Sequence, residues 1–336
     1  MGAGVRLQTQ DRDGAMAAYG DTGRLIRALT ADDAAATLLW LIILPLLAAA
    51  AGLFFAIGFR VQDSALPSKL GLYLTGALVA QIALLRCLAP RLSRALVALA
   101  QMGAISTVGM LLAYAAAAAA MPLVDGQLLA LDQAIGYEWR DYAGFIARHR
   151  AIAFALDHAY MLIFGLPFLA IGPLAQARRF RAIDRYLIAT AIALLITTAI
   201  FTFCPALTAW DHLGIAPDAL KPFRYLPNAT AGWEYELLQI RAGRGFVLHD
   251  TLGSGLVAFP SFHAIAALLF AAALWPLRAL RAPAALAAFL VILSAPILGG
   301  HYAIDLIAGA AVATASLLVA TPLERTLHEA AARLAR

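Results

Sequence analysis

A proline, a serine and a histidine stand at the beginning of an apolar stretch, in the string FPSFH at residues 259–263. Proline suits the first turn of a helix, where its missing N–H costs nothing. The free amides of such a turn, together with the helix dipole, attract an anion. Ser261 adds a hydroxyl donor, and His263 adds a group that can give up a proton near neutral pH. This segment therefore predicts an anion site equipped with a general acid.

A second string, GGHYAID at residues 299–305, opens the last apolar stretch. His301 and Asp305 are four residues apart, so a helix places them on one face within contact. A carboxylate bonded to one ring nitrogen fixes the tautomer and leaves the other nitrogen free. That arrangement predicts a histidine nucleophile. Gly299 and Gly300, before the histidine, allow a tight turn and a close approach of the backbone to a ligand. Tyr302 follows the histidine.

Each histidine, taken alone, could be an interfacial polar residue that bonds nearby backbone groups. The combination of two histidines, a carboxylate, a Pro-Ser start and a Gly-Gly turn favours a catalytic pair. Ionisable groups at membrane depth are costly and tend to be functional. Further polar residues could line the same pocket, and they are Asp132, Arg140, Asp141, Asp157, His158 and Tyr160.

The composition indicates the elements that must position these residues. Of the 336 residues 62% are hydrophobic and 13% are charged, and the mean hydropathy is +0.80. A soluble domain has about 25% charged residues, and about 20 apolar residues in a helix cross a bilayer. The sequence therefore predicts an all-α polytopic helical membrane protein with about eight transmembrane helices. The expected spans are 36–58, 69–88, 95–121, 152–174, 184–203, 260–280, 283–298 and 302–321.

The distribution of basic residues orients these spans. Most of the 25 Lys and Arg residues fall on one side if the N-terminus is cytoplasmic, as the positive-inside rule requires. Both termini are then cytoplasmic, and both histidines lie at the outer face of what we expect to be a bacterial inner membrane. The expected parts are a cytoplasmic segment 1–35, two additional helices 36–94, a six-helix core 95–321 with a long outer loop 204–259, and a cytoplasmic tail 322–336.

The pairing of Pro-Ser-x-His with His-x-x-x-Asp resembles the type 2 phosphatidic acid phosphatase superfamily. The fuller strings AFPSFHA (258–264) and GHYAID (300–305) look most like its inositol phosphorylceramide synthase branch. The resemblance implies that His301 attacks phosphorus to form a phosphohistidine, held by Asp305. It also implies that His263 protonates the leaving oxygen and that Ser261, Gly300 and Tyr302 lie around the phosphate. No cofactor or metal is implied, because fixed donors can stabilise the developing charge.

The chain departs from the superfamily pattern in two places. The first motif, in which six residues separate a lysine from Arg-Pro, is absent, and the Ser-Arg pair of the third motif is Ser294-Ala295. Another cation must neutralise the phosphate, and the outer loop offers Arg241, our first choice, and Arg244. Both could instead be solvated or bind lipid headgroups. The departures favour a synthase-like enzyme over a simple phosphatase.

Three functions follow as hypotheses. The leading one is a lipid phosphotransferase that moves a phosphoryl or phospho-headgroup to a lipid alcohol. The alternative uses water as acceptor and is a lipid phosphate or polyprenyl diphosphate phosphatase. A transporter or lipid-binding protein without chemistry is the third. The expected partners are the lipid bilayer and a phospholipid or polyprenyl phosphate; no basic tract with interleaved aromatics indicates nucleic acid, and the sequence does not give the oligomeric state.

Overall fold

The computed structural model describes residues 32–61, 89–215, 233–243, 247–248 and 256–335. Helices dominate this part of the chain, which confirms the all-α class. In chain order they are α1 (Asp32–Ala56), α2 (Pro90–Ala118), α3 (Asp125–Ala134), α4 (Trp139–Arg148), α5 (Arg150–Met161), α6 (Leu166–Gln176), α7 (Phe180–Phe203), α8 (Ala209–His212), α9 (Trp233–Arg241), α10 (Phe262–Leu274), α11 (Arg281–Leu298) and α12 (Ala303–Leu334). Two short parallel strands, β1 (Arg60–Val61) and β2 (Val247–Leu248), pair between α1 and the segment before α10.

Five of the described helices are long and apolar enough to cross a membrane, namely α1, α2, α7, α11 with its preceding turn, and α12. The pair α5–α6 makes a sixth if the two helices form one bent span. Helix α10 is apolar but has only 13 residues, about 20 Å of helix, which is less than the 30 Å hydrocarbon core. The expected span 69–88 lies outside the described residues, so eight remains a prediction.

The expected span 152–174 is broken rather than straight. Helices α5 and α6 meet at an angle of 62°, with a 3₁₀ turn at Leu162–Phe164 between them. Gly165 follows this turn, and Pro167 occupies the first turn of α6. A proline lacks the N–H that would continue the hydrogen-bond ladder from the preceding helix, so the chain bends here. The bend lets the end of α5 face the start of α10.

Helix α7 is the centre of the bundle. It packs against α2 on one side and α12 on the other, and α10 lies against α7, α11 and α12. The buried core is formed by aliphatic side chains such as Ile183, Leu187, Ile265 and Leu269. Large apolar side chains point outward on the same helices, including Leu318 of α12, which is 70% exposed. An apolar exterior of this kind suits contact with lipid rather than water.

Helix α12 continues 13 residues past the expected end at residue 321. The apolar run ends near Ala320, but the following turns stay helical because two of their polar side chains face the bundle. His328 contacts Asp184 of α7 at 3.0 Å, and Glu324 accepts a hydrogen bond from Arg181. Asp184 also pairs with Arg94, which lies inside α2 instead of in a loop. These ion pairs gather at the end of the bundle opposite to the histidine motifs.

Candidate active site

The two predicted histidines meet. His263, in the first turn of α10, and His301, just before α12, are 38 residues apart in sequence, yet His263 Nδ1 lies 3.1 Å from His301 Nε2. The rings are nearly perpendicular, at 70° and 5.3 Å between centroids. His301 is only 2% exposed, whereas His263 is half-buried. The contact brings together one ring that is shielded from solvent and one that remains accessible.

Asp305 supports His301 as its spacing predicts. Asp305 Oδ2 lies 3.2 Å from His301 Nδ1 and also accepts the backbone N–H of Tyr302 at 2.9 Å. The carboxylate is fully buried, and its Oδ1 has no hydrogen-bond partner among the described residues. The ring nitrogen of His301 that faces His263 is therefore the one that the carboxylate leaves free.

Burial keeps the His301 imidazole in its neutral form. Removal from water lowers the pKa of His301 from the ordinary 6.5 to about 4, and a backbone hydrogen bond with Ala258 acts in the opposite direction. Burial penalises the charged form of a base, so the ring carries no charge at neutral pH. A neutral imidazole with a free Nε2 lone pair is the form that can act as a nucleophile.

The Gly-Gly turn before His301 is required by close packing. Gly300 has φ of +65°, and a Cβ at this position would lie 2.4 Å from the side chain of Thr208. The carbonyl of Gly300 accepts the N–H of Ala209 at 2.7 Å. A Cβ at Gly299 would lie 2.9 Å from His301 Cδ2. Only glycine fits here, because the chain after α7 is held tightly against the turn.

The starts of α10 and α12 are joined through Ser261. This buried serine is the N-cap of α10, and its hydroxyl accepts the N–H of Ala264 at a long 3.4 Å. Its backbone N–H donates to the carbonyl of Asp305 at 3.1 Å. A Cβ on Gly309 would lie only 2.6 Å from the carbonyl oxygen of Ser261. Gly309 therefore sets the distance between the helix that carries His263 and the helix that follows His301.

Aromatic and acidic residues from outside these helices complete the site. Tyr160, near the end of α5, stacks on the His263 ring at 4.6 Å and 23°. Asp132 of α3 accepts the backbone N–H groups of Ala303 and Ile304 at 2.9 and 2.8 Å. Both were minor candidates in the sequence. For the remaining minor candidates, Arg140 donates to the carbonyl of Leu213, His158 bonds the carbonyl of Phe154, Asp157 is buried in α5 and Asp141 is exposed.

Sequence reasoning missed Asp125 as a site residue. Its carboxylate is 3% exposed, accepts the Tyr302 hydroxyl at 3.1 Å and accepts the N–H of Leu207 at 3.1 Å. An aspartate in the first turn of a helix is usually explained by the helix dipole, so the sequence offered no signal for this role. Tyr302, predicted to lie near the phosphate, is fully buried and points its hydroxyl toward Asp125.

The contacts that the structure gives Arg241 are not with His263 or His301. Arg241, at the end of α9, donates a hydrogen bond to the carbonyl of Met121 at 2.7 Å. The negative charge of Asp125 also attracts its guanidinium. Its Nη1 is buried and has no hydrogen-bond partner among the described residues. Partial burial lowers the pKa of Arg241. Arg244 lies outside the described residues. The position of the missing motif arginine, Ala295, is completely buried.

No metal cluster accompanies the histidines in the described residues. No group of three or more His, Cys, Asp or Glu side chains within these ranges is arranged to hold an ion. The polar atoms around His263 and His301 are instead the Asp305 carboxylate, the Ser261 hydroxyl and backbone amides of helix starts. These groups can orient a nucleophile and bind an anion, which is the equipment needed for group transfer at phosphorus.

Comparison with known proteins agrees with this chemistry. A family model described as the PAP2 superfamily matches residues 126–319, which is more than half of the chain and includes both histidines. The match begins in α3 and ends in α12, so α1 and α2 lie outside it. Neither the curated proteins nor the solved structures give a significant match. The chain is an integral membrane protein that belongs to the PAP2 superfamily, a family of phosphatases and phosphotransferases that act on lipid phosphates.

Proposed function

We propose that this protein is a metal-independent lipid phosphotransferase that works through a phosphohistidine on His301. The observation that carries the proposal is the line of contacts from Asp305 through His301 to His263, at 3.2 and 3.1 Å. An ionised Asp305 accepts the Nδ1 proton of His301, which leaves the Nε2 lone pair directed at His263. This is the order of groups expected for an oriented nucleophile next to a general acid.

In the first half-reaction the phosphoryl group enters between the two rings, so the His263–His301 contact must open. His301 Nε2 forms a bond to phosphorus as the bond from phosphorus to the leaving oxygen breaks. His263 gives its proton to that oxygen. The negative phosphate favours the protonated form of His263 while it is bound. The phosphate oxygens are surrounded by the Ser261 hydroxyl, the amides of the first turn of α10 and the Gly300 turn. Tyr302 does not touch the phosphate and stabilises this turn through its hydrogen bond to Asp125.

In the second half-reaction an acceptor hydroxyl replaces the leaving group. His263 removes the proton of the hydroxyl, its oxygen bonds to phosphorus, and the Nε2–phosphorus bond breaks. A lipid alcohol as acceptor gives a transferase, and water gives a phosphatase. We favour a lipid alcohol and an enzyme similar to the inositol phosphorylceramide synthase branch. The buried Ala295 at the place of the phosphatase-type arginine supports this choice.

Arg241 and Arg244 remain the proposed source of positive charge. The Nη1 of Arg241 has no hydrogen-bond partner within the described part of the chain, which supports a role in binding phosphate, but the guanidinium must turn away from the carbonyl of Met121 to reach it. We expect Arg241→Gln to raise KM for a lipid phosphate more than it lowers kcat, because the charge would act on binding in both ground and transition states. An unchanged KM would remove Arg241 from the site. The predicted orientation, with both termini cytoplasmic and the site outside, also belongs to the proposal.

The experiment uses purified protein in detergent micelles with ³²P-labelled dioctanoyl phosphatidic acid. Acid-labile, base-stable label on the protein should appear in the parent and be absent from His301→Ala. His149→Ala is the matched control, because His149 is an exposed histidine whose ring contacts Phe145 in its own helical turn. Addition of lipid alcohols then distinguishes the acceptors. Label that forms equally in His301→Ala excludes the nucleophile, and fast release of phosphate with no labelled alcohol product excludes the transferase.

A further inference from the structure

The start of α12 is held by a carboxylate from a distant part of the chain. Asp132, on the short outer helix α3, is 1% exposed, and each of its oxygens accepts one backbone N–H from the first two residues of α12. Its partners, Ala303 and Ile304, are 171 and 172 residues away in sequence. Helix starts are usually capped by the residue that precedes them. At α12 the local carboxylate, Asp305, accepts only the N–H of the N-cap residue Tyr302. The next two amides, those of Ala303 and Ile304, are bonded by Asp132 instead.

A second contact from the same outer helix reinforces the first. Asp125, the first residue of α3, accepts the hydroxyl of Tyr302, which directly follows His301. Helix α3 therefore contacts the start of α12 through a residue near each end of α3, Asp125 and Asp132. The backbone N–H of His301 makes a longer hydrogen bond than those to Asp132, since its nitrogen lies 3.4 Å from the carbonyl oxygen of Ala295. The position of the His301 ring consequently depends on where α3 holds the first turn of α12.

The carboxylate also decides which helix start can take up a phosphate. The N-terminus of a helix attracts anions through its free amides and its dipole. At α12 the first two of these amides are already bonded to a negative side chain, Asp132. At α10 the side-chain cap that the described residues provide is the neutral Ser261, at a long 3.4 Å. A phosphate would be repelled at α12 and accepted at α10, on the side of His263.

We propose that Asp132 is a positioning residue for the reaction. It fixes the first turn of α12, and with it the distance between His301 and His263, and it keeps the phosphate at the start of α10. The inference rests on the proposed function, in which His301 is the nucleophile. Asp132 does not touch the substrate, so its replacement should lower kcat rather than raise KM.

The test compares Asp132→Ala and Asp132→Asn with the parent and with Asp141→Asn, which changes an exposed carboxylate of the neighbouring helix α4. Dioctanoyl phosphatidic acid is the substrate, and inorganic phosphate is the competing anion. We expect Asp132→Ala to lower kcat per folded molecule about 10- to 100-fold, the effect of displacing a catalytic group by about 1 Å. KM and inhibition by phosphate should change by less than about threefold, because binding at α10 is untouched. Asp132→Asn keeps one acceptor and should fall between parent and alanine variant.

A second readout does not depend on turnover. Diethyl pyrocarbonate modifies neutral imidazoles, and peptide mass spectrometry reports the rate at His301. Modification of this buried ring should be several-fold faster in both Asp132 variants than in the parent or in Asp141→Asn. If kcat of the folded Asp132 variants and the modification rate both match the parent, the proposal is wrong. Tighter inhibition by phosphate in Asp132→Asn overturns the assignment of the phosphate to α10. If the parent does not process the lipid phosphate, the proposed function fails, and the modification rates alone decide the role of Asp132.

Discussion

Replacement of Gly309 by alanine should slow the reaction while leaving the fold largely intact. Gly309 is buried in α12 where this helix crosses the start of α10. A Cβ at this position would lie 2.6 Å from the carbonyl oxygen of Ser261 and 3.1 Å from the Cβ of Ala264. The first contact is with backbone, so a side-chain rotation cannot relieve it. The two helices must move apart.

The size of the displacement follows from these distances. An ordinary contact begins at 3.4 Å, so the helices must separate by about 0.8 Å, the difference from 2.6 Å. Overpacking of this kind costs about 1–3 kcal/mol. Alanine is a better helix former than glycine by about 1 kcal/mol, which offsets part of that cost. The net destabilisation is therefore about 0–2 kcal/mol. The same shift separates Asp305 from Ser261, and a displacement near 1 Å at a catalytic group can lower kcat about 100-fold.

The assay measures kcat on dioctanoyl phosphatidic acid and the thermal unfolding midpoint, both in the same detergent. The matched control is Gly172→Ala in α6, because a Cβ there meets nothing within 4 Å. The control should keep the parent's kcat. Gly309→Ala with parental kcat would show that the crossing of α10 and α12 does not set the catalytic distance. A loss of stability that accounts for the entire loss of activity would contradict the reasoning equally.

Three further predictions concern single side chains. The lowered pKa of His301 keeps this proposed nucleophile unprotonated as the pH falls, so the acid limb of kcat/KM should lie near pH 4; a midpoint at or above 6.5 would contradict this. Tyr160→Leu removes the ring stacked on His263, a contact that stabilises the pair by about 0.5–1.5 kcal/mol, and should lower kcat a few-fold. Tyr160→Phe keeps the ring, so its kcat should be closer to that of the parent. Tyr302→Phe leaves the buried Asp125 without its hydroxyl partner and should destabilise the protein by about 1–3 kcal/mol, measured by thermal unfolding; an unchanged midpoint would refute this contact.

Local spacing predicted the parts of the site that lie within one helical turn. His301 and Asp305 pair because residues four apart share a helix face, and the structure has this contact. The Pro-Ser string likewise marks the start of α10, but the placement of Pro260 in the first helical turn was wrong, because Ser261 is the N-cap and the helix begins at Phe262. The all-α membrane class followed from apolar content alone. These properties depend on residue type and short-range geometry, which a single sequence contains.

The boundaries of the helices were harder to predict. The expected span 302–321 ended where the apolar run ends, but α12 continues to Leu334 because Glu324 and His328 find partners on α7. Arg94 precedes the expected span 95–121, yet it lies inside α2 and pairs with Asp184. Charge indicates a loop only when the charged group stays in water. Pairing between helices reverses that expectation, and the partner cannot be identified from the local sequence.

The sequence by itself determined a helical membrane protein with an oriented histidine–carboxylate pair and a second histidine at a helix start. The tertiary structure alone decided that His263 faces His301, that Asp132 holds the first turn of α12, and that Gly309 sets the spacing of the two helices. The physical reason is range. Hydrogen bonds within one turn follow from the repeat of the helix, whereas contacts between residues 38 or 171 positions apart depend on how the helices pack.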